Sequence, residues 1–351
     1  VTGYDEVRQV LSDARFSTTA TALPGAPRLA APLPPGTILM MDPPEHTRLR
    51  RLVAGAFTAR SAERLRPLMQ ENASRLLDGL TRNGRREGEL VGEYGAPFAV
   101  SIMCTLLGLP HADHASFREW SNLVLRLTSD GSVRAARSRM SGYVNRLIRA
   151  KRRDPSDDLL THLIMARDDG NKLSERELVD LGATLVVVGY ETIANQLSVS
   201  TLTLLQNPDA ARPVREGSPA EVAAAVEELL RLDATFDVAH PRIAVTDVVL
   251  GGQLVRAGDP VQVSLAHASR DRAVFDTPDT FDPTRRNAAH LAFGYGFHHC
   301  LGAQLARSEL QTALATLFRR LPHLTLAVPA ADIEWRPGAI TRGPSALPVR
   351  W

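Results

Sequence analysis

Cysteine is almost absent from this chain: Cys104 and Cys300 are the only two in 351 residues. One pair cannot build a disulfide scaffold, so a reducing, cytoplasmic setting is the simpler expectation. Two thiols also exclude a zinc site that needs several thiolates. Lysine is nearly missing too, found only at Lys151 and Lys172, and 41 basic residues against 39 acidic leave a formal charge of +2. No global field therefore draws the chain to nucleic acid or to an anionic membrane. There is no internal repeat, no low-complexity tract, and no flavin or iron–sulfur motif. The opening VTGYDEVRQVLSDARF is an ordinary amphipathic stretch with no apolar signal core.

What is present is a globular composition, 44% hydrophobic and 23% charged, in a chain of 38.2 kDa. That length allows one large domain or two ordinary ones, and no linker divides it, so a single domain over 1–351 is expected. Between Thr21 and Gly36 five prolines (Pro24, Pro27, Pro32, Pro34, Pro35) mark a loop. Apolar residues then recur at three and four over Ala62 to Leu80, Phe98 to Leu107, Phe117 to Leu127 and Val133 to Ile148, predicting helices. A capping box at Ser174-Glu175-Arg176-Glu177 opens a long apolar helix to about Gln206. β-like runs follow at Arg242 to Val245, Val248 to Leu250 and Val261 to Leu265, and a last strong helix is expected from about Leu301 to Arg319. The fold class is mainly α with a smaller β portion.

Residues Leu181 to Gln206 would span about 39 Å as a helix. Glu191, Asn195 and Gln196 interrupt the run, which favours a buried core helix over a membrane span. Within it, Gly189 leaves room for something to approach the backbone, and Thr192 can bond back to the Val188 carbonyl. Glu191 beside a hydroxyl reads equally as a proton path or as a capped packing defect.

The segment Phe293-Gly294-Tyr295-Gly296-Phe297-His298-His299-Cys300-Leu301-Gly302 carries the most information. Its glycines make a tight loop, and Cys300 falls at a helix start, where amides and the dipole favour a thiolate. A lone cysteine there is most often structural; the glycines and Phe293 shift the reading toward metal ligation. Adjacent His298, His299 and Cys300 splay apart, so zinc fits poorly. A cysteine hydrolase is a rival reading, but nothing else resembles a hydrolase motif. A heme iron needs only one axial thiolate.

This loop resembles the heme-binding pattern Phe-Gly-x-Gly-x-His-x-Cys-x-Gly of the cytochrome P450 family, matched at Phe293, Gly294, Gly296, His298, Cys300 and Gly302. Val188-Gly189-Tyr190-Glu191-Thr192 resembles the family's oxygen-activating helix, departing at Val188, where a smaller residue is usual. The family's Glu-x-x-Arg falls on Glu228 and Arg231. By pattern alone Glu45 to Arg48 and Glu63 to Arg66 match as well; place in the chain selects the former pair. Phe281-Asp282-Pro283-Thr284-Arg285 resembles the motif whose arginine, here Arg285, completes a network with them. Asp42 to Arg50 resembles the helix over one heme edge in soluble bacterial members. Read without the family, His46 and Arg50 are an i,i+4 pair of the kind more often found on a solvated face. The likeness extends in order from Tyr4-Asp5-Glu6-Val7 to Leu347-Pro348-Val349.

The resemblance implies a P450 fold lacking its N-terminal segment, and a heme-thiolate monooxygenase with heme b on Cys300. It assigns His46, Arg50, Arg242 and His298 to the heme propionates, and Gly189, Phe293 and Gly302 to the cofactor's surroundings. Glu191 and Thr192 would deliver protons to bound O2. The product would be a hydroxylated or epoxidised hydrophobic small molecule of natural-product biosynthesis or catabolism. Thr184, Val187, Val188, Phe236 and Val238 are expected to line the pocket, with the proline-rich loop as lid. Electrons would come from NAD(P)H through a ferredoxin reductase and a ferredoxin, docking near Arg51 and Arg307 on a monomer without a membrane anchor. Oxidative coupling or ring formation without hydroxyl transfer is the alternative within the family, and a heme-thiolate sensor or carrier is the alternative outside catalysis.

Overall fold

The structure is a computed structural model that describes residues 1–26, 37–126, 131–168, 172–285 and 289–351. Its helices are α1 (Tyr4–Ser12), α2 (Glu45–Ala54), α3 (Ala59–Leu80), α4 (Ala96–Leu107), α5 (His114–Val124), α6 (Gly131–Arg153), α7 (Leu159–Asp168), α8 (Glu175–Gln206), α9 (Arg212–Glu216), α10 (Pro219–Leu232), α11 (Leu265–Ala268) and α12 (Ala303–Arg320). The strands are short: β1 (Phe16–Ser17), β2 (Glu87–Glu89), β3 (Arg242–Ala244), β4 (Val248–Leu250), β5 (Gln253–Val255), β6 (Pro260–Val261), β7 (Thr325–Leu326) and β8 (Pro348–Arg350). Antiparallel pairing orders them β1-β3-β6 and β2-β8-β7, with β4-β5 a hairpin.

Local chemistry explains the principal ends. Ser174 accepts from the Glu177 amide while Glu177 reaches back, the expected capping box, and Ser218 with Glu221 repeats it at α10. Thr58 accepts from the Ser61 amide and starts α3 three residues before the periodic run. The hairpin turns on Gly251 and Gly252, both at positive φ.

Three expectations shift. The helix expected over Phe117 to Leu127 begins at His114 and ends at Val124; Arg126 pairs instead with Ala339, and Leu127 lies outside the described residues. The run Val261 to Leu265 leaves the sheet after Val261, because Ser264 caps α11 through the His267 amide. The last helix opens at Ala303, so Cys300 precedes it in a turn. Of the proline-rich loop, residues 27–36 lie outside the described residues.

Two apolar clusters organise the chain. The larger gathers α3 to α8, α10 and α12; the smaller joins α1 to the β1-β3-β6 sheet and the β4-β5 hairpin. Helix α8 runs through the larger one, with Leu178, Leu197 and Leu204 almost fully buried. Among the described residues no helix is long and apolar enough to cross a membrane.

Candidate active site

The cysteine loop joins the two clusters. Gly294 and Gly296 take φ of 68° and 67°, which side chains rarely adopt. A Cβ on Gly296 would lie 2.3 Å from the Leu11 carbonyl of α1, so glycine is required there twice over. The Cys300 amide donates to the Phe293 carbonyl at 2.8 Å, folding the loop onto itself. Cys300 sits deep in the protein yet keeps some accessible surface. Burial raises its thiol, while the Gly302 amide and the Arg50 and Arg307 charges pull the other way. Those neighbours favour a thiolate once a cation is at hand to share the charge.

Arg50, which acts on Cys300, also acts on a group of bases with little to neutralise them. The rings of His46 and His298 stand 4.2 Å apart, centroid to centroid. Burial, then Arg50 and Arg242, lower the His46 imidazole; burial, then His46 and Arg242, push His298 down to about 3. Arg242 is buried, with Nη1 donating to the Phe16 carbonyl at 3.3 Å. Its Nε, and Nε2 of His298, are buried without a hydrogen-bond partner among the described residues. Asp42 is the acid that acts on His46, Arg242 and His298, but it is engaged by the Ser17 hydroxyl and by the Thr18 and Thr19 amides at 2.9 and 3.3 Å. A buried guanidinium N–H left without a partner calls for an anion, and His298 adds a donor to it when Nε2 carries the ring proton. A ligand with carboxylates at one edge and a thiolate-seeking metal would satisfy both sides, and heme is such a ligand.

On α8, Thr192 donates to the Val188 carbonyl at 2.8 Å, as its position predicts. Glu191 is 2% exposed, and its Oε1 accepts from Thr341 at 2.9 Å. Thr341 Oγ1 in turn accepts from Asn195 Nδ2 at 2.9 Å, and Arg336 Nη1 stands 3.7 Å from Oε1. Burial raises the Glu191 carboxyl; Arg336, Thr341, Asn195 and Arg126 oppose it. The expected reason for Gly189 is corrected: its missing Cβ points at Met103 on α4, whose sulfur would lie 2.5 Å away, so it lets two helices close together. Of the expected pocket residues, Thr184, Val188 and Phe236 are half-buried and Val187 is buried in the helical cluster. Val238 is 44% exposed and bridges to Ser264.

Glu228, Arg231 and Arg285 do form one network. Arg285 Nε lies 3.1 Å from both Glu228 oxygens, and Arg231 is fully buried beside them. Arg307, expected at a docking face, is occupied elsewhere: Nε and Nη2 donate to Glu227 at 2.7 and 2.9 Å, and the guanidinium covers the Phe293 ring at 4.6 Å. Burial raises the Glu227 carboxyl, but His290 and Arg307 overcome this and hold it at about 2. The sequence reading missed Asn195, Thr341 and Arg336 as partners of Glu191; of these only the polar interruption at Asn195 was visible beforehand.

A helical chain with one deep cysteine, a group of buried basic side chains and a long helix carrying a buried acid beside a hydroxyl is compatible with an oxygen-activating heme-thiolate enzyme. Comparison with known proteins agrees. Residues 222–344 match the family model "Cytochrome P450". The chain is 44% identical over 356 residues to nocardicin C N-oxygenase of Nocardia uniformis subsp. tsuyamanensis, and 42% identical over 355 to mycinamicin IV hydroxylase/epoxidase of Micromonospora griseorubida. Both alignments cover all of this chain and 89% of the relative. The structure of cytochrome P450mel 107F1, described as having biaryl coupling reactivity, superposes with a TM-score of 0.93 at 39% identity, over 100% of this chain and 89% of that one. The chain belongs to the cytochrome P450 family: it is a bacterial P450 monooxygenase of the kind found in natural-product biosynthesis.

Proposed function

We propose that this P450 transfers one oxygen atom to a hydrophobic natural product, by hydroxylation or epoxidation. Cys300 would ligate the iron of a heme b, and His46, Arg50, Arg242 and His298 would hold its propionates. The observation that carries this reading is the pairing of a deep, partly accessible Cys300 with the orphaned donors Arg242 Nε and His298 Nε2. Bound heme supplies the redox iron at which O2 is reductively activated. Phe293 and Gly302 shape the cysteine side of the cofactor. Thr192 would present a hydroxyl to the site, and the buried Glu191 carboxyl would store protons and pass them to it. Thr184, Val187, Val188, Phe236 and Val238 would form a mostly apolar lining, which suits a hydrophobic substrate. Electrons reach the site from NAD(P)H through a ferredoxin reductase and a ferredoxin, and the chain acts as a monomer.

A carbon-monoxide difference spectrum with the red-shifted thiolate band tests the ligand, and Cys300→Ser should abolish it. Thr192→Ala tests the relay: substrate-dependent peroxide release should rise at the expense of product, and unchanged partitioning would count against the relay. Similarity to P450mel 107F1 favours a second reading, oxidative coupling. Isotope-labelled O2 separates the two, since only oxygen transfer leaves label in the product.

A further inference from the structure

Around Glu191 the structure leaves a set of polar atoms unsatisfied. Glu191 Oε2, Asn195 Oδ1 and Arg336 Nε are all buried and have no hydrogen-bond partner among the described residues. They belong to side chains already tied together. Thr341 donates to Glu191 Oε1 and accepts from Asn195 Nδ2, each at 2.9 Å, while Arg336 Nη1 stops 3.7 Å from Oε1. That last separation is too long for a direct hydrogen bond. Thr341 has spent its only proton on Glu191, so it cannot serve Asn195 Oδ1 as well. Two acceptors and one donor are therefore left inside one polar cluster.

A water molecule offers two donors and accepts at least one, the complement of what these atoms lack. We infer that Glu191 Oε2, Asn195 Oδ1 and Arg336 Nε bind an ordered internal water, and that Arg336 and Thr341 are positioning residues that hold Glu191 and this water in register. The segment from Trp335 to Gly343 closes the cluster. Its backbone is pinned at Arg336 to the Gly343 carbonyl (3.0 Å), at Ile340 to Leu125 (3.0 Å) and at Arg342 to Thr235 (2.8 Å). A Cβ on Gly343 would come within 2.5 Å of Asn195 Oδ1, so only glycine admits that carbonyl. The Arg336 side chain is 24% exposed while that of Glu191 is 2% exposed, so the water stands between the surface and the buried acid. Arg126 is the other charge acting on Glu191 from this side. The consequence for turnover rests on the Glu191–Thr192 relay; the water site itself does not.

The test is a crystal structure of the heme-loaded enzyme at a resolution that orders water, with turnover assays beside it. Density for a water within hydrogen-bond reach of all three atoms is expected; direct Arg336–Glu191 contact with no water overturns the site. Arg336→Gln and Thr341→Val should raise the peroxide fraction severalfold and shift the infrared band of the Glu191 carboxyl group, assigned through Glu191→Gln. Thr341→Ser, which keeps the hydroxyl, should behave as wild type, and an intact carbon-monoxide spectrum certifies the fold of each variant. If Thr192→Ala raises peroxide release while Arg336→Gln and Thr341→Val change neither readout, the positioning role fails and the relay stands. If Thr192→Ala changes nothing, the relay fails, and the crystal structure alone decides the water.

Discussion

The guanidinium of Arg231 is forked onto the carboxylate of Glu228, Nε to Oε2 at 2.7 Å and Nη2 to Oε1 at 2.8 Å, with both side chains out of solvent. Arg231 Nη1 also donates to the Ser269 and Pro278 carbonyls, and Arg285 reaches the Asp276 carbonyl at 2.7 Å. Helix α10 is thereby fastened to the segment that leads into the cysteine loop. Glu228→Ala would leave two buried guanidiniums facing each other, and breaking such a pair costs about 3–5 kcal/mol. Urea titration of the holoprotein checks this. A loss below about 1 kcal/mol would place the pair with ordinary surface bridges.

The basic edge makes a separate prediction about cofactor retention. Arg242 carries an orphaned Nε and lies buried beside His46 and His298. Arg242→Gln should therefore preserve the fold but release heme faster to apomyoglobin. Charged hydrogen bonds contribute ~1.5–3 kcal/mol, so the rate should rise by about tenfold or more. Heme loss at the wild-type rate would remove Arg242 from the propionate set.

The cysteine loop and the capping boxes were legible because their chemistry is local: turn glycines, a thiol and helix caps sit within a few positions of one another. The Glu228 network needed chain order as well, since the same spacing occurs at Glu45 and Glu63. The setting of Glu191 was hidden, because Thr341 lies 150 residues away in sequence and a threonine in a loop announces nothing. The ion pair of Arg307 was hidden for a similar reason. An arginine early in a helix looks solvated until Glu227, from α10, is folded against it. Strand ends were misread where one serine could cap a helix turn instead, as Ser264 does.

Gly189 separates packing from cofactor contact. A methyl group there would meet Met103 at 2.5 Å, and overpacking of this kind costs roughly 1–3 kcal/mol. Gly189→Ala should lower the melting temperature, and should lower it less in a Met103→Ala background, where the clash is gone. If Gly189→Ala melts as wild type yet binds heme more weakly, its role lies on the cofactor side after all.

Glu309 gives the clearest dependence on pH. It is 1% exposed on α12, its Oε1 has no partner among the described residues, and burial alone holds its carboxyl well above the usual 4.5. The unfolded chain ionises this group near the usual value, whereas the folded chain keeps the proton. Stability from the protonated form is therefore complete below 4.5 and is lost as pH rises from there through the folded value. Glu309→Gln presents a similar shape with no proton to lose. Between about pH 5 and pH 8 the variant should gain on wild type as pH rises, the difference isolating this one residue from acids such as Glu227 that shift the other way. Urea unfolding of both holoproteins across that range measures the gain. Parallel curves would mean that the Glu309 carboxyl is ionised in the folded protein.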